Sequence, residues 1–203
     1  MLIVKKPDNA IIKEIAKQVK AGAVIIYPTD TAYAIGCDAT NAKAVANIFK
    51  IKGRDAGKAL PIICADVEMV KKYFLISPEI FSIVSKYWPG PLSTVIGAKN
   101  KIAKAVLLKG TAAVRVPNSD IARQLSAILG RPLVATSANV SGKPNCYSVI
   151  AFLRQFSHNP FVSIKQKAIA VDAGALKRRK PSTIVRFGKG GTIEVLRKGP
   201  VKF

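Results

Sequence analysis

The sequence predicts an α/β fold, and three observations carry that prediction. Apolar residues recur at helical spacing in several segments, β-branched apolar runs lie between them, and Gly, Pro, Asn, Asp or Ser marks most of the changeovers. The two kinds of segment interleave along the chain, which is the α/β pattern. The late strand-like runs Ala168–Val171, Thr183–Phe187 and Thr192–Leu196 have no helices between them, so the sheet is expected to be mixed. No repeat, linker or low-complexity tract divides the chain, and residues 1–203 are expected to form one domain.

Taken in order, Pro7-Asp8-Asn9 starts a helix with Ile11, Ile12, Ile15, Ala16 and Val19 at helical spacing, and Gly22 stops it. Val24-Ile25-Ile26-Tyr27 is a buried strand that Pro28, lacking an N–H, brings to an end. Thr29, Asp30 and Thr31 follow. Such a polar run at the end of a buried strand is either a ligand loop or an ordinary capped turn. Thr40 or Asn41 caps a second helix carrying Ala42, Val45, Ala46 and Phe49. Leu60–Cys64 reads as a strand, and Asp66 and Ser77-Pro78 cap two more helices. Trp88-Pro89-Gly90-Pro91 is a rigid turn before a strand at Leu92–Gly97. Ala112–Val116 is a short strand, Ser119 opens a helix that Gly130 closes, Pro132–Ala135 is a strand and Ser148 begins the last helix.

Composition narrows the function classes. Of 203 residues 49% are hydrophobic and 22% charged, enough apolar material for one sizeable core. Mean hydropathy is +0.23, yet no apolar run approaches the ~20 residues of a membrane span. Met1–Lys6 turns polar too soon for a signal peptide, so a cytoplasmic protein with no membrane partner is expected. Cys37, Cys64 and Cys146 are far apart and form no C-x-x-C, which argues for buried thiols over a disulfide framework or zinc site. The one histidine, His158, lies in a loop-like Ser-His-Asn-Pro and reads as a surface residue. The net charge of +22 points to polyanionic partners, although it is spread along the chain with one dense run at Lys177-Arg178-Arg179-Lys180.

Few residues remain that do chemistry. Lys52 and Arg54, one residue apart beside a glycine, suit a clamp on phosphate or carboxylate oxygens as well as they suit a plain basic loop. Gly53-x-x-x-Gly57-Lys58-Ala59 is one residue short of a P-loop and lacks its hydroxyl, so a P-loop NTPase is excluded. Thr136-Ser137-Ala138-Asn139-x-Ser141-Gly142 is a hydroxyl- and amide-rich loop directly after a strand, well suited to anions and ribose. Arg115 sits in an apolar strand and must meet an anion, either a structural carboxylate or a ligand. No G-x-S-x-G, H-E-x-x-H or G-x-G-x-x-G occurs, and no close carboxylate pair. Cations, hydroxyls and backbone amides suit phosphate handling by positioning, without a protein nucleophile.

In order, Tyr27-Pro28-Thr29-Asp30-Thr31-x-Tyr33, Lys52-Gly53-Arg54, Trp88-Pro89-Gly90-Pro91, Val114-Arg115-Val116-Pro117, the Thr136–Gly142 loop, Pro181-Ser182-Thr183 and Leu196-Arg197-x-Gly199 span nearly the whole chain. This set resembles the YrdC-like threonylcarbamoyl-adenylate synthases. The resemblance implies a twisted open α/β sheet with flanking helices and a concave basic cleft. It implies that L-threonine, bicarbonate or CO2, and ATP give threonylcarbamoyl-adenylate and pyrophosphate, with Mg2+ arriving on ATP and no dedicated protein metal site. A separate transferase then passes the threonylcarbamoyl group to tRNA. Carried over by motif, Thr31, Arg115, Ser182 and the backbone near Ala135 hold threonine. Arg54, Thr111, Ser137, Asn139 and Arg197 hold ATP, and Lys52 and Arg54 are catalytic beside its phosphates.

The chain departs from the family pattern at Asp55 and Ala59, where prolines are common, at Ser93 for a usual Thr, and at Arg186, where Asp is frequent. The accessory domain of longer members has no counterpart, so the single-domain form is expected. The alternative reading is an RNA-binding or ribosome-associated module on the same fold, with +22 of net charge behind it.

Overall fold

A computed structural model describes residues 1–55, 57–157, 168–188 and 191–203. His158, read above as a surface residue, lies outside them. Among the described residues six α-helices form: α1 Asn9–Lys20, α2 Ala42–Lys52, α3 Val67–Tyr73, α4 Pro78–Val84, α5 Asp120–Leu129 and α6 Val149–Phe156. The strands are β1 Leu2–Lys5, β2 Ile25–Pro28, β3 Tyr33–Gly36, β4 Ile62–Ile63, β5 Phe74–Leu75, β6 Leu92–Ala98, β7 Thr111–Arg115, β8 Leu133–Val134, β9 Thr136–Ser137, β10 Ile169–Asp172, β11 Thr183–Phe187 and β12 Ile193–Arg197.

Each helix starts at a side-chain cap. Asp8, Asn41, Asp66, Ser77, Ser119 and Ser148 each accept the backbone N–H three residues on, which satisfies one otherwise unpaired donor. Asn41 takes the second cap because Thr40 is engaged elsewhere, its hydroxyl donating to Asp38 at 2.7 Å. Gly53 (φ +56°) and Gly130 (φ +69°) end α2 and α5 in the left-handed conformation that glycine adopts without strain.

The strands form two mixed sheets where the sequence suggested one. The first runs β1-β10-β2-β3-β9, the second β12-β11-β6-β7-β4-β8, with β5 on the side of β6. Pairing is parallel for β1/β10, β10/β2, β11/β6 and β4/β7 and antiparallel elsewhere. The chain changes sheet at Ala135. β8 pairs β4 on one side, while Val134 N–H donates to Cys37 C=O on the other; Ala135 N–H reaches Pro61 C=O. Two residues later β9 pairs β3. Tyr27 O–H also donates to Val134 C=O at 2.9 Å, and burial pushes this phenol far up.

Alternation explains the unbroken apolar run in β2. Ile26 faces one core with Ile35, Val45 and Ile48, whereas Ile25 and Tyr27 face another built from α1 and α5, with Ile15, Val19 and Leu125. Both faces of the strand are covered, so every position is apolar. All three cysteines are free and buried, as expected. Among the described residues no helix is long and apolar enough to cross a membrane.

Candidate active site

The turn after β2 is folded by Thr29. Its hydroxyl donates to Ala32 C=O at 2.7 Å and accepts from the N–H groups of Thr31 and Ala32. This turn projects Asp30 and Thr31 toward β7. The anion that Arg115 meets is Asp30: one guanidinium nitrogen lies 2.6 and 2.9 Å from the two carboxylate oxygens, with both side chains more than nine-tenths buried. The same nitrogen donates to Gly90 C=O at 3.2 Å, which gives the Trp88–Pro91 turn its purpose, and the second nitrogen reaches Thr31 Oγ1 at 3.5 Å. Breaking a buried, fully bonded pair of this kind costs about 3–5 kcal/mol.

A second polar chain lies alongside. Arg197 donates to Ser182 C=O and to Ser182 Oγ, both at 2.9 Å, and Ser182 Oγ is 3.1 Å from Ser93 Oγ. Burial, and then the neighbouring Arg115, lower the pKa of Arg197. The Arg197 guanidinium is thus held at the cavity with no carboxylate assigned to it by these bonds.

These groups share one cavity of about 390 Å³, within the range of small-molecule sites. Thr31, Arg54, Thr111, Arg115, Ala135, Ser137, Ser182 and Arg197 all line it, from six segments scattered through the sequence. Arg54 enters from the C-terminal end of α2. One of its nitrogens donates to Ala59 C=O at 3.0 Å, its Nε has no partner, and burial lowers its pKa. Thr111 turns its hydroxyl to Leu108 C=O at 2.8 Å, within its own hairpin. Among the described residues the lining carries four arginines, Arg54, Arg115, Arg186 and Arg197, and no carboxylate.

Lys52 and Asn139 are placed differently from the sequence expectation. Neither lines the cavity. Lys52 is 1% exposed, and its ammonium donates to Ser137 C=O, to Asn139 C=O at 2.6 Å and to Asn139 Oδ1 at 3.3 Å. Those three acceptors use all of its protons. Asn139 accepts from Ser137 Oγ and gives its amide hydrogens to Val140 and Lys143 C=O. The reason is geometric: α2 ends against the β9 loop, so the lysine at its last position meets the loop's carbonyls before it can reach open space. Burial first, and then Arg54, push Lys52 down to about 7, with Cys146 opposing.

Sequence reasoning missed Asn145 and the part that Ser93 and Arg186 play in the lining. Ser93 was signalled by the alternation of β6, where Leu92 and Thr94 are fully buried and Ser93 and Val95 reach the cavity. Asn145 carried no comparable signal. Among the described residues no three of His, Cys, Asp and Glu come together as a metal site.

Fold and cavity define an α/β protein with a small-molecule-sized site lined by arginines and hydroxyls. The sequence profile of the Sua5/YciO/YrdC family, described as telomere recombination, matches residues 17–199, and the chain belongs to that family. A threonylcarbamoyl-AMP synthase of Chromobacterium violaceum is 32% identical over 188 residues, covering 91% of this chain and 92% of that protein. The P. abyssi Sua5 structure complexed with L-threonine superposes with a TM-score of 0.86 at 29% identity, over 98% of this chain. The chain spans 57% of that Sua5. Full-length HypF in a phosphate- and nucleotide-bound form matches at 25% identity and TM-score 0.76, over 92% of this chain and 28% of HypF.

Proposed function

We propose that this chain is an L-threonylcarbamoyladenylate synthase. The observation that carries the reading is that residues of the expected threonine set (Thr31, Arg115, Ala135, Ser182) and of the expected nucleotide set (Arg54, Thr111, Ser137, Arg197) line the same cavity. The L-threonine complex of Sua5 and the named synthases among the relatives support it.

Threonine's amine attacks CO2, derived from bicarbonate, forming the N–C bond and releasing a proton to solvent. A carbamate oxygen then attacks the ATP α-phosphorus, the α–β bridging P–O bond breaks and pyrophosphate leaves. Both reactants are anionic, so the protein's task is to hold them in line and offset their repulsion. Arg54 and Arg197 supply that positive field, Mg2+ enters with ATP, and the threonine carboxylate lies against Arg115. Asp30 fixes Arg115, so binding needs no rearrangement of the guanidinium. Lys52 and Asn139 act one step back, holding Ser137 where the nucleotide meets it. This assignment replaces the expectation of a catalytic Lys52 on the phosphates.

The adenylate is unstable in water and must be consumed by a separate threonylcarbamoyl transferase that carries it to tRNA. Weak, salt-sensitive tRNA binding by the +22 surface accompanies this role without being needed for chemistry. The test is pyrophosphate release from ATP. It should require both L-threonine and bicarbonate; release that ignores either one, or sequence-specific RNA binding that survives high salt with no release, refutes the synthase reading.

A further inference from the structure

The floor of the cavity is a set of aligned strands. Register pairs Ile184 with Ser93 and Arg186 with Val95 across β11/β6, and Val95 with Ala113 across β6/β7. Alternation puts Ile184, Arg186, Val95 and Ala113 on the cavity face while Val185, Thr94 and Val114 are buried behind it. One row therefore runs Arg186–Val95–Ala113, flat and apolar except at its β11 end. Two large apolar residues at the same cavity, Leu108 and Leu196, are 48% and 42% exposed. Exposed leucines beside an apolar floor lack the flat partner that would cover them.

Arg186 stands at the end of this row. Its Nη1 is 3.1 Å from Glu194 Oε2 on β12, the residue directly opposite in register, and the side chain is 49% exposed. An exposed pair of this kind adds little to folding stability. Its effect is to restrict where a planar cation sits.

We infer that Arg186 holds the nucleobase of the nucleotide substrate, its guanidinium plane set against the purine ring while Val95 and Ala113 form the floor. The inference rests on the synthase reading for the identity of the nucleotide. A purine lying along this row presents one flat π face to both partners, the apolar side chains under most of it and the guanidinium at the β11 end. Arg54 and Arg197 then remain for the phosphates. Lysine cannot replace Arg186, because its ammonium is compact, strongly hydrated and not planar.

The experiment measures binding of two separate probes, adenosine and inorganic tripolyphosphate, by calorimetry to the wild-type chain, Arg186→Ala and Arg186→Lys. Both variants change a half-exposed side chain, and an unchanged melting curve checks that they fold. Adenosine affinity should fall about 10-fold in both variants, as loss of a cation–π contact predicts, with tripolyphosphate affinity unchanged. Unchanged adenosine affinity, an equal loss for tripolyphosphate, or full recovery with lysine overturns the assignment. Neither probe needs threonine. A wild-type chain that releases no pyrophosphate therefore counts against the synthase reading, while the adenosine result is decided independently.

Discussion

At the scale of single residues, Arg54 and Lys52 have separated into two roles although one glycine parts them. Arg54 has an Nε free of any partner and lines the cavity. Arg54→Ala should lower threonine-dependent pyrophosphate release about 10²–10³-fold, the loss expected for a charge-assisted contact made mainly in the transition state. Circular dichroism should show the fold intact, because a cleft arginine adds little to the core. Lys52 makes a different prediction. Its pKa is about 7 when folded and 10.5 in the free side chain. Between those values the unfolded chain holds a proton that the folded chain has lost, so stability from this group rises with pH. Urea midpoints should therefore shift in favour of the wild type over Lys52→Met as pH goes from 7 to 10. A gap that stays constant or shrinks would show that the three carbonyl oxygens around Lys52 keep its proton in place despite burial.

At the scale of elements, the caps were legible because each is a local bargain between one side chain and one N–H. Asp66, Ser77, Ser119 and Ser148 could be named from the sequence, the first start could be placed within Pro7-Asp8-Asn9, and the second cap was narrowed to Thr40 or Asn41. Among the described residues, two of the four two-residue strands could not be named. β5 and β9 exist because a partner strand passes at the right distance, and no periodicity fits in two positions. β1 was missed because it is an exposed edge whose pattern is set by its pairing with β10. The cavity residues were legible through motif resemblance, but their orientation was not. That Lys52 turns inward depends on where α2 docks, a fact of packing between segments 85 residues apart. Gly199 shows the same division. Its place in the motif is visible in sequence; its reason is that a Cβ there would lie 2.4 Å from both Pro181 C=O and Thr183 N. Gly199→Ala must push the end of β12 off the segment that carries Ser182. Strain of this kind costs about 1–3 kcal/mol, a few degrees of Tm in a chain of this size. The KM for threonine and the KM for ATP should both rise, because the displaced end of β12 carries Arg197 and the segment it leaves carries Ser182; KM values that stay at the wild-type level while Tm falls would mean that neither side chain is displaced.

At the scale of the whole molecule, the two sheets are joined where β8 of one passes through Ala135 into β9 of the other, with Val134 N–H bonded to Cys37 C=O beside β3, so neither is expected to unfold alone. We take residues 1–203 as one cooperative unit: thermal unfolding followed by far-ultraviolet circular dichroism and by Trp88 fluorescence should give coincident single transitions. Separate midpoints would divide the chain. The cavity draws Tyr33, Ala34 and Ser137 from one sheet and Ser93, Arg115 and Ile184 from the other. A molecule bound there acts as a cross-brace between two halves whose covalent links are loops. Amide hydrogen exchange should therefore slow on both sides of the brace when threonine and ATP bind together, in β10 of one sheet and β8 of the other, neither of which lines the cavity, and not only in the segments that touch ligand. The substrates would then do for this protein what a keystone does for an arch: stiffen parts they never touch, for as long as they stay.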